Sequence, residues 1–281
     1  MYIVLNYDKK AIIVTIKLKR ITMKQILITN DDGFESKGLH ALAEALRTLG
    51  NVTIVAPTTE KSACGHSLTL TRPLHFVAVN DNFYKLDDGT PTDCVFLALN
   101  KLYDEDNKPD IVISGINVGS NMGEDITYSG TAAAAMEAIL QGIPAIAISQ
   151  VYANNKQSIE DYGYKLAQKS IVELVKKIFD NNFPLPERKF LNVNIPPIEP
   201  KKCKGFKVTR AGNKQYGFHA EVHHNPRGLE YYWIGLPKLE WLDTKGHTTD
   251  FEAINDGYVS VTPIHLDMTS HDDIENLKNW I

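Results

Sequence analysis

From Met23 onward, short apolar runs alternate with stretches of helical periodicity. Gln25–Thr29 (QILIT) is apolar at its centre and runs into the turn formers Asn30, Asp31, Asp32 and Gly33, which predicts a buried parallel strand. Leu39, Leu42, Ala43, Leu46 and Leu49 then recur at helical spacing, with Gly50 as a stop. Residues 52–55 predict a second strand ended by Ala56-Pro57, and residues 110–114 (DIVIS) another ended by Gly115. Residues 131–140 (TAAAAMEAIL) are strong helix formers, with Ser129 or Thr131 as cap and Gly142 as stop. A strand over 145–149 follows Pro144. Tyr164, Ala167, Ile171, Leu174, Val175 and Ile178 mark one face of a longer helix.

This alternation predicts an α/β fold, a mostly parallel sheet with helices on both faces. In such sheets ligands sit outside the carboxyl ends of the strands. The second half reads differently. Residues 206–210, 230–234 and 258–262 are β-rich and separated by Pro and Gly, as strands and long hairpin-like excursions added to the sheet. Ser270 with Asp273 resembles a capping box for a last helix, whose apolar face is Ile274, Leu277 and Ile281. The expected division is an α/β core over 23–200 and a β-rich part over 201–281. The first 22 residues stand apart: Lys9, Lys10, Lys17, Lys19 and Arg20 face Asp8 alone, and Met23 is the expected true start.

Charge and cysteines narrow the class. A net charge of −4 argues against a nucleic-acid polymer as the main partner, because phosphate backbones are held by clustered Lys and Arg. No apolar run approaches a membrane span. Cys64, Cys94 and Cys203 form no CxxC pair, which predicts reduced thiols in a cytoplasmic protein. Cys64 reads as small filler rather than as a thiolate nucleophile.

The chemistry concentrates on three predicted loops. Adjacent carboxylates such as Asp31 and Asp32 repel unless a cation neutralises them, and their oxygens suit hard ions such as Mg²⁺ or Mn²⁺. A plain polar turn explains the same tetrapeptide, so on it alone both readings stay open. The loops beginning at Lys61-Ser62 and at Ser114-Gly115-Ile116-Asn117 carry further neutral oxygen donors and are expected at the same sheet edge. Ser129, Gly130 and Thr131 open the alanine-rich helix, where free N–H groups favour phosphate. There is no Walker A or GxGxxG pattern and no HExxH; His219, His223 and His224 read as a solvated cluster.

Taken together, these segments resemble the SurE family of stationary-phase survival proteins. The motifs are ILITNDDG (26–33), SLTLTRPL (67–74), GTPTDCV (89–95), DIVISGINVGSNMGEDITYSGT (110–131), AMEA (135–138), VTRAG (208–212), NPRG (225–228), YWIG (232–235) and TDFEAINDGYVSVTPIHLDMT (249–269). The resemblance implies a Rossmann-like three-layer core and a β-rich extension whose hairpin and terminal segments are swapped between subunits of a homodimer or homotetramer. It implies a 5′/3′-nucleotidase acting on nucleoside monophosphates, with short polyphosphate chains as a further substrate class. It also implies one divalent ion per subunit, held by Asp31, Asp32, Ser62 and Asn117. Two departures are Ala63, where the family usually has Gly, and Lys61, where it often has Arg.

The expected mechanism follows from phosphoryl chemistry, which needs charge stabilisation and an in-line nucleophile. Asp31 and Asp32 are expected to fix the metal and prepare water for attack, with Asn121, Ser129, Gly130 and Thr131 holding phosphate oxygens. A receiver domain would need an Asp where the third strand ends in Ser-Gly-Ile-Asn. An aspartate-nucleophile phosphatase of the dehalogenase type would need Asp-x-Asp. The alternative outside enzymology is a non-catalytic nucleotide-binding regulatory protein.

Overall fold

Ile26 and Ile28 alternate with Leu27 along strand β3 (Gln25–Thr29), and all three are fully buried, so this strand is covered on both faces. A computed structural model of the chain describes residues 2–7, 10–15, 23–152, 161–215, 219–235, 240–242 and 246–281. Before β3, strands β1 (Tyr2–Tyr7) and β2 (Lys10–Thr15) pair with each other and, among the described residues, with no other strand. Asp8, Lys9, Lys17, Lys19 and Arg20 lie outside the described residues.

After β3 come helix α1 (Lys37–Leu46), β4 (Asn51–Pro57), β5 (His75–Asn80), β6 (Phe83–Asp87) and helix α2 (Pro91–Lys101). Then follow β7 (Ile111–Val118), α3 (Gly130–Leu140), β8 (Ala145–Gln150), α4 (Lys165–Asn181) and β9 (Lys189–Ile195). The rest comprises β10 (Phe206–Val208), β11 (Asn213–Gln215), β12 (His219–His224), β13 (Glu230–Gly235), β14 (Glu240–Leu242), α5 (Asp250–Asn255), β15 (Val259–His265) and α6 (Ile274–Trp280).

The central sheet has nine strands in the order β10-β15-β9-β8-β7-β3-β4-β6-β5. It is parallel from β9 through β6; β15 runs antiparallel to β9, and β5 to β6. Ile26 and Ile28 face α1 and α4 in one apolar layer, while Leu27 faces α2 and α3 in the other. Each fully buried Ile or Leu contributes about 2 kcal/mol of transfer free energy, so the two layers hold the sheet between them. The expected α/β class with helices on both faces is what the chain forms. The sheet also spans the division expected at residue 200, since β10 and β15 join it beside β9.

Chain connections leave β3 toward β4 on one side and leave β7 toward β8 on the other. The gap beyond the carboxyl ends of β3 and β7 is therefore the topological switch point, where such sheets place ligands.

Several local expectations are corrected. Strand β7 does not stop at Gly115: after a register irregularity it resumes, pairing Asn117 with Ser149 and Val118 with Gln150. Gly115 has φ 139, and a Cβ there would lie 2.2 Å from the Ile148 carbonyl oxygen, so no side chain fits this approach to β8. Likewise β4 runs through Pro57, because its last residues pair with β6 and a terminal proline needs no ladder donor. The first helix stops at Leu46, before Leu49. The Ser270 capping box does not form. The Ser270 hydroxyl bonds the Asp273 side chain instead of a backbone N–H, and a 3₁₀ turn precedes α6. Capping boxes occur instead at Thr90–Asp93 and Thr249–Glu252.

Candidate metal and phosphate site

Asp31 and Asp32 come one residue beyond the end of β3, so the strand delivers both carboxylates to the rim at the switch point. Asp31 is buried and Asp32 half-buried. Asp31 Oδ2 accepts from the Thr131 N–H at 3.0 Å and Oδ1 from the Thr131 hydroxyl at 2.5 Å. Burial pushes the Asp31 carboxyl up from its ordinary range, against the pull of those bonds, and the charge of Glu60 adds to the rise. Asp32 Oδ2 accepts from the Val118 N–H at 3.2 Å, which ties it to the end of β7.

Helix α3 begins at the same place. Ser129 caps it, its hydroxyl accepting from the Ala132 N–H at 3.0 Å. Both donors of Thr131 are committed to Asp31. The Gly130 N–H opens the helix and has no acceptor within it. A Cβ at Gly130 would lie 2.8 Å from Asp31 Cβ and 3.0 Å from both Asp31 Oδ2 and Cys64 Sγ. Glycine there is a packing requirement of the site.

The loop after β4 arrives through backbone bonds. Lys61 N–H donates to the Asp31 carbonyl at 2.7 Å and Gly65 N–H to the Tyr128 carbonyl at 3.0 Å. Ser62 lies between them, exposed, its hydroxyl donating to Glu60 Oε1 at 2.6 Å. Burial, then the charge of Asp31, pushes the Cys64 thiol up to about 11, so it is a protonated thiol at neutral pH and not a nucleophile. On β7, the Asn117 amide nitrogen donates to the Gly119 carbonyl at 3.1 Å, which leaves the amide oxygen as its acceptor.

Asn121 stands deeper. It is buried, its amide donates to Ser149 Oγ at 2.8 Å, and its backbone joins Asn192 and Asn194. The structure thus brings Asp31, Gly130, Thr131 and the Lys61–Gly65 loop together, with Asp32 bound to the strand that carries Asn117. It sets Asn121 into a separate amide network.

The donor set suits a hard cation. Among the described residues no basic side chain pairs with Asp31, and desolvating an unneutralised carboxylate costs several kcal/mol. Among them no group of three or more His, Cys, Asp or Glu is placed to hold a metal. The expected ligands, two carboxylates with the neutral oxygens of Asn117 and Ser62, would make an all-oxygen set of the kind Mg²⁺ or Mn²⁺ prefers. A cavity of about 360 Å³ lined by Ile139, Pro144, Phe183 and Arg188 opens at the opposite rim, where strands begin.

Comparison with known proteins identifies the family and the fold. The family model described as "Survival protein SurE" matches residues 26–218. The chain belongs to the SurE family. A relative from a Sulfurovum species named "5'-nucleotidase SurE" is 73% identical over 258 residues, covering 92% of this chain and 98% of the relative. One of the same name from Helicobacter hepaticus is 57% identical over 263 residues, covering 92% and 99%. The crystal structure of the SurE protein from Aquifex aeolicus superposes with a TM-score of 0.76 at 41% identity, covering 91% of this chain and 99% of that one.

Within the SurE frame the two departures acquire surroundings. Ala63 has φ 56, a left-handed backbone that glycine adopts without strain. Lys61 pairs with Asp88 at 3.2 Å. Sequence reading overlooked Glu60 and Glu137. A single carboxylate on the otherwise apolar, buried α3 was the signal that could have flagged Glu137.

Proposed function

We propose that this chain is a metal-dependent phosphomonoesterase that hydrolyses nucleoside 5′- and 3′-monophosphates to nucleoside and phosphate. The observation that carries the reading is Asp31, a buried carboxylate at the switch point that touches a helix N-terminus and has no basic partner among the described residues. The shared name of the relatives supports the 5′ activity. The 3′ activity and short polyphosphate chains rest on the family resemblance.

In this proposal Asp31, Asp32, Ser62 and Asn117 hold one Mg²⁺ or Mn²⁺ per subunit. The bound ion supplies positive charge that neutralises phosphate oxygens and eases the activation of water. Asp32, the more exposed carboxylate, orients that water. Both Asp31 oxygens already accept from Thr131, which weakens Asp31 as a direct nucleophile. Ser129 and the Gly130 N–H take phosphate oxygens at the helix start. Thr131 joins them only by releasing Asp31, whereas Asn121 keeps a second amide hydrogen beside the one it gives to Ser149.

A homodimer or homotetramer is part of the same proposal. Strands β12 and β13 form a two-stranded sheet of their own with Tyr232, Trp233 and Ile234 exposed, and α6 exposes Ile274 and Leu277. Apolar groups on that scale belong in an interface, and segments exchanged between subunits would bury them. A cytoplasmic setting is supported by three unbridged cysteines. No helix among the described residues is long and apolar enough to cross a membrane.

The test is phosphate release from 5′- and 3′-monophosphates by chelator-stripped protein, with and without restored Mn²⁺ or Mg²⁺. Metal-dependent release is expected, and Asp32→Asn should lower turnover by about 10³-fold or more. Asn keeps the acceptor for the Val118 N–H, so the variant should fold. Nucleotide binding without release would favour the non-catalytic regulator instead.

A further inference from the structure

Helix α3 touches the site twice, and only one contact is at its N-terminus. At its start, Thr131 holds both oxygens of Asp31. Six residues on, Glu137 is buried on the same helix. Gln141, one turn later, donates to Glu137 Oε1 at 2.7 Å and fixes that carboxylate. The remaining oxygen, Oε2, takes His66 Nε2 at 3.1 Å.

His66 belongs to the loop that carries Ser62. Further along that loop, Thr69 donates from its N–H and its hydroxyl to the two oxygens of Asp93, at 2.8 and 2.6 Å. Asp93 is itself held by the Thr90 N–H at 2.9 Å. The loop is exposed around Ser62 yet clamped by two buried carboxylates from helices that pack on each other. A buried carboxylate facing a half-exposed imidazole is an expensive way to fill space, so a positional role accounts for it better than packing does.

We infer that Glu137, acting through His66, is a positioning residue that sets the Ser62 loop against Asp31. One rigid helix thereby fixes the distance between a carboxylate donor and a hydroxyl donor of the cation. The inference rests on the metal reading above. Neither residue is among the proposed ligands of phosphate or metal, and removing such an orienting partner typically weakens metal affinity by about 10- to 100-fold.

The test is calorimetric titration of chelator-stripped full-length protein with Mn²⁺ alone, in wild type, His66→Ala, His66→Gln and Glu137→Gln, beside their melting temperatures. His66 is part-exposed, so His66→Ala should fold with a near-native melting temperature. Its Mn²⁺ dissociation constant should rise about tenfold or more, and His66→Gln, which keeps a donor for Glu137, should recover much of the loss. Combining His66→Ala with Glu137→Gln should cost less than the sum of the single changes. Unchanged Mn²⁺ affinity in His66→Ala, or affinity that falls only in step with melting temperature, would overturn the inference. A wild type that takes up no Mn²⁺ would overturn the metal reading itself, a result separable from the first.

Discussion

Gly130 shows how one missing atom shapes the site. The Cβ of an alanine would press on Asp31 and Cys64 at 2.8 to 3.0 Å. Two effects oppose each other. Alanine favours the helix by up to about 1 kcal/mol, while overpacking costs about 1–3 kcal/mol. Gly130→Ala should therefore lose no more than about 3 kcal/mol in denaturant titration, yet turnover should fall by about tenfold or more as the reacting groups are displaced. Normal turnover would show that Asp31 has room to move. Ala63 makes the converse point, since its φ of 56 holds an L-residue where glycine is more at ease.

At the scale of elements, capping decides where helices begin beside the site. Thr90 caps α2 and also donates to the Ser67 carbonyl at 2.8 Å, so one residue starts a helix and holds the Ser62 loop. Thr249 caps α5 in the same way, without reaching the site. Thr249→Ala should cost about 1 kcal/mol of stability, a fall of about 2 °C in melting temperature for a chain of this size. Mn²⁺ affinity should not move, and a change in affinity would mean that α5 is coupled to the metal site. Asp250, the next residue, accepts from the backbone of Gly123 and Gly212 at 2.8 and 3.0 Å, and so joins α5 to the loop after β7.

At the scale of the whole molecule, two apolar layers pack on either side of β3 and β7 and carry the adjacent carboxylates to the rim, where in the proposed reading a bound cation offsets their burial. Ions that bind only the folded state stabilise it by mass action, about 2.7 kcal/mol at a hundred times the dissociation constant. Adding saturating Mn²⁺ to chelator-stripped protein should raise the melting temperature by about 5 °C. Asp32→Asn should abolish most of that rise. A melting temperature indifferent to Mn²⁺ would leave the burial of Asp31 without its compensating charge.

The parallel core was legible because its strands are buried on both faces, so QILIT and DIVIS are apolar enough to stand out without any partner in view. The turn formers after β3 then placed Asp31 and Asp32 at a strand end by local chemistry alone. Strand β9 escaped this reading. Asn192 and Asn194 alternate with Leu191, Val193 and Ile195 like a half-exposed strand, yet all are buried, because the Asn121 carbonyl accepts from both side-chain amides and its N–H donates to the Asn194 oxygen. The edge strand β5 also escaped: its short apolar run at 76–79 lies at the sheet edge and is mostly exposed, so it carries no alternation between a buried and a solvated face. The contacts that assemble the site join residues far apart in the chain, Asp31 to Thr131 and His66 to Glu137. Periodicity reports which face of an element is buried, and only packing decides which distant side chain meets it there.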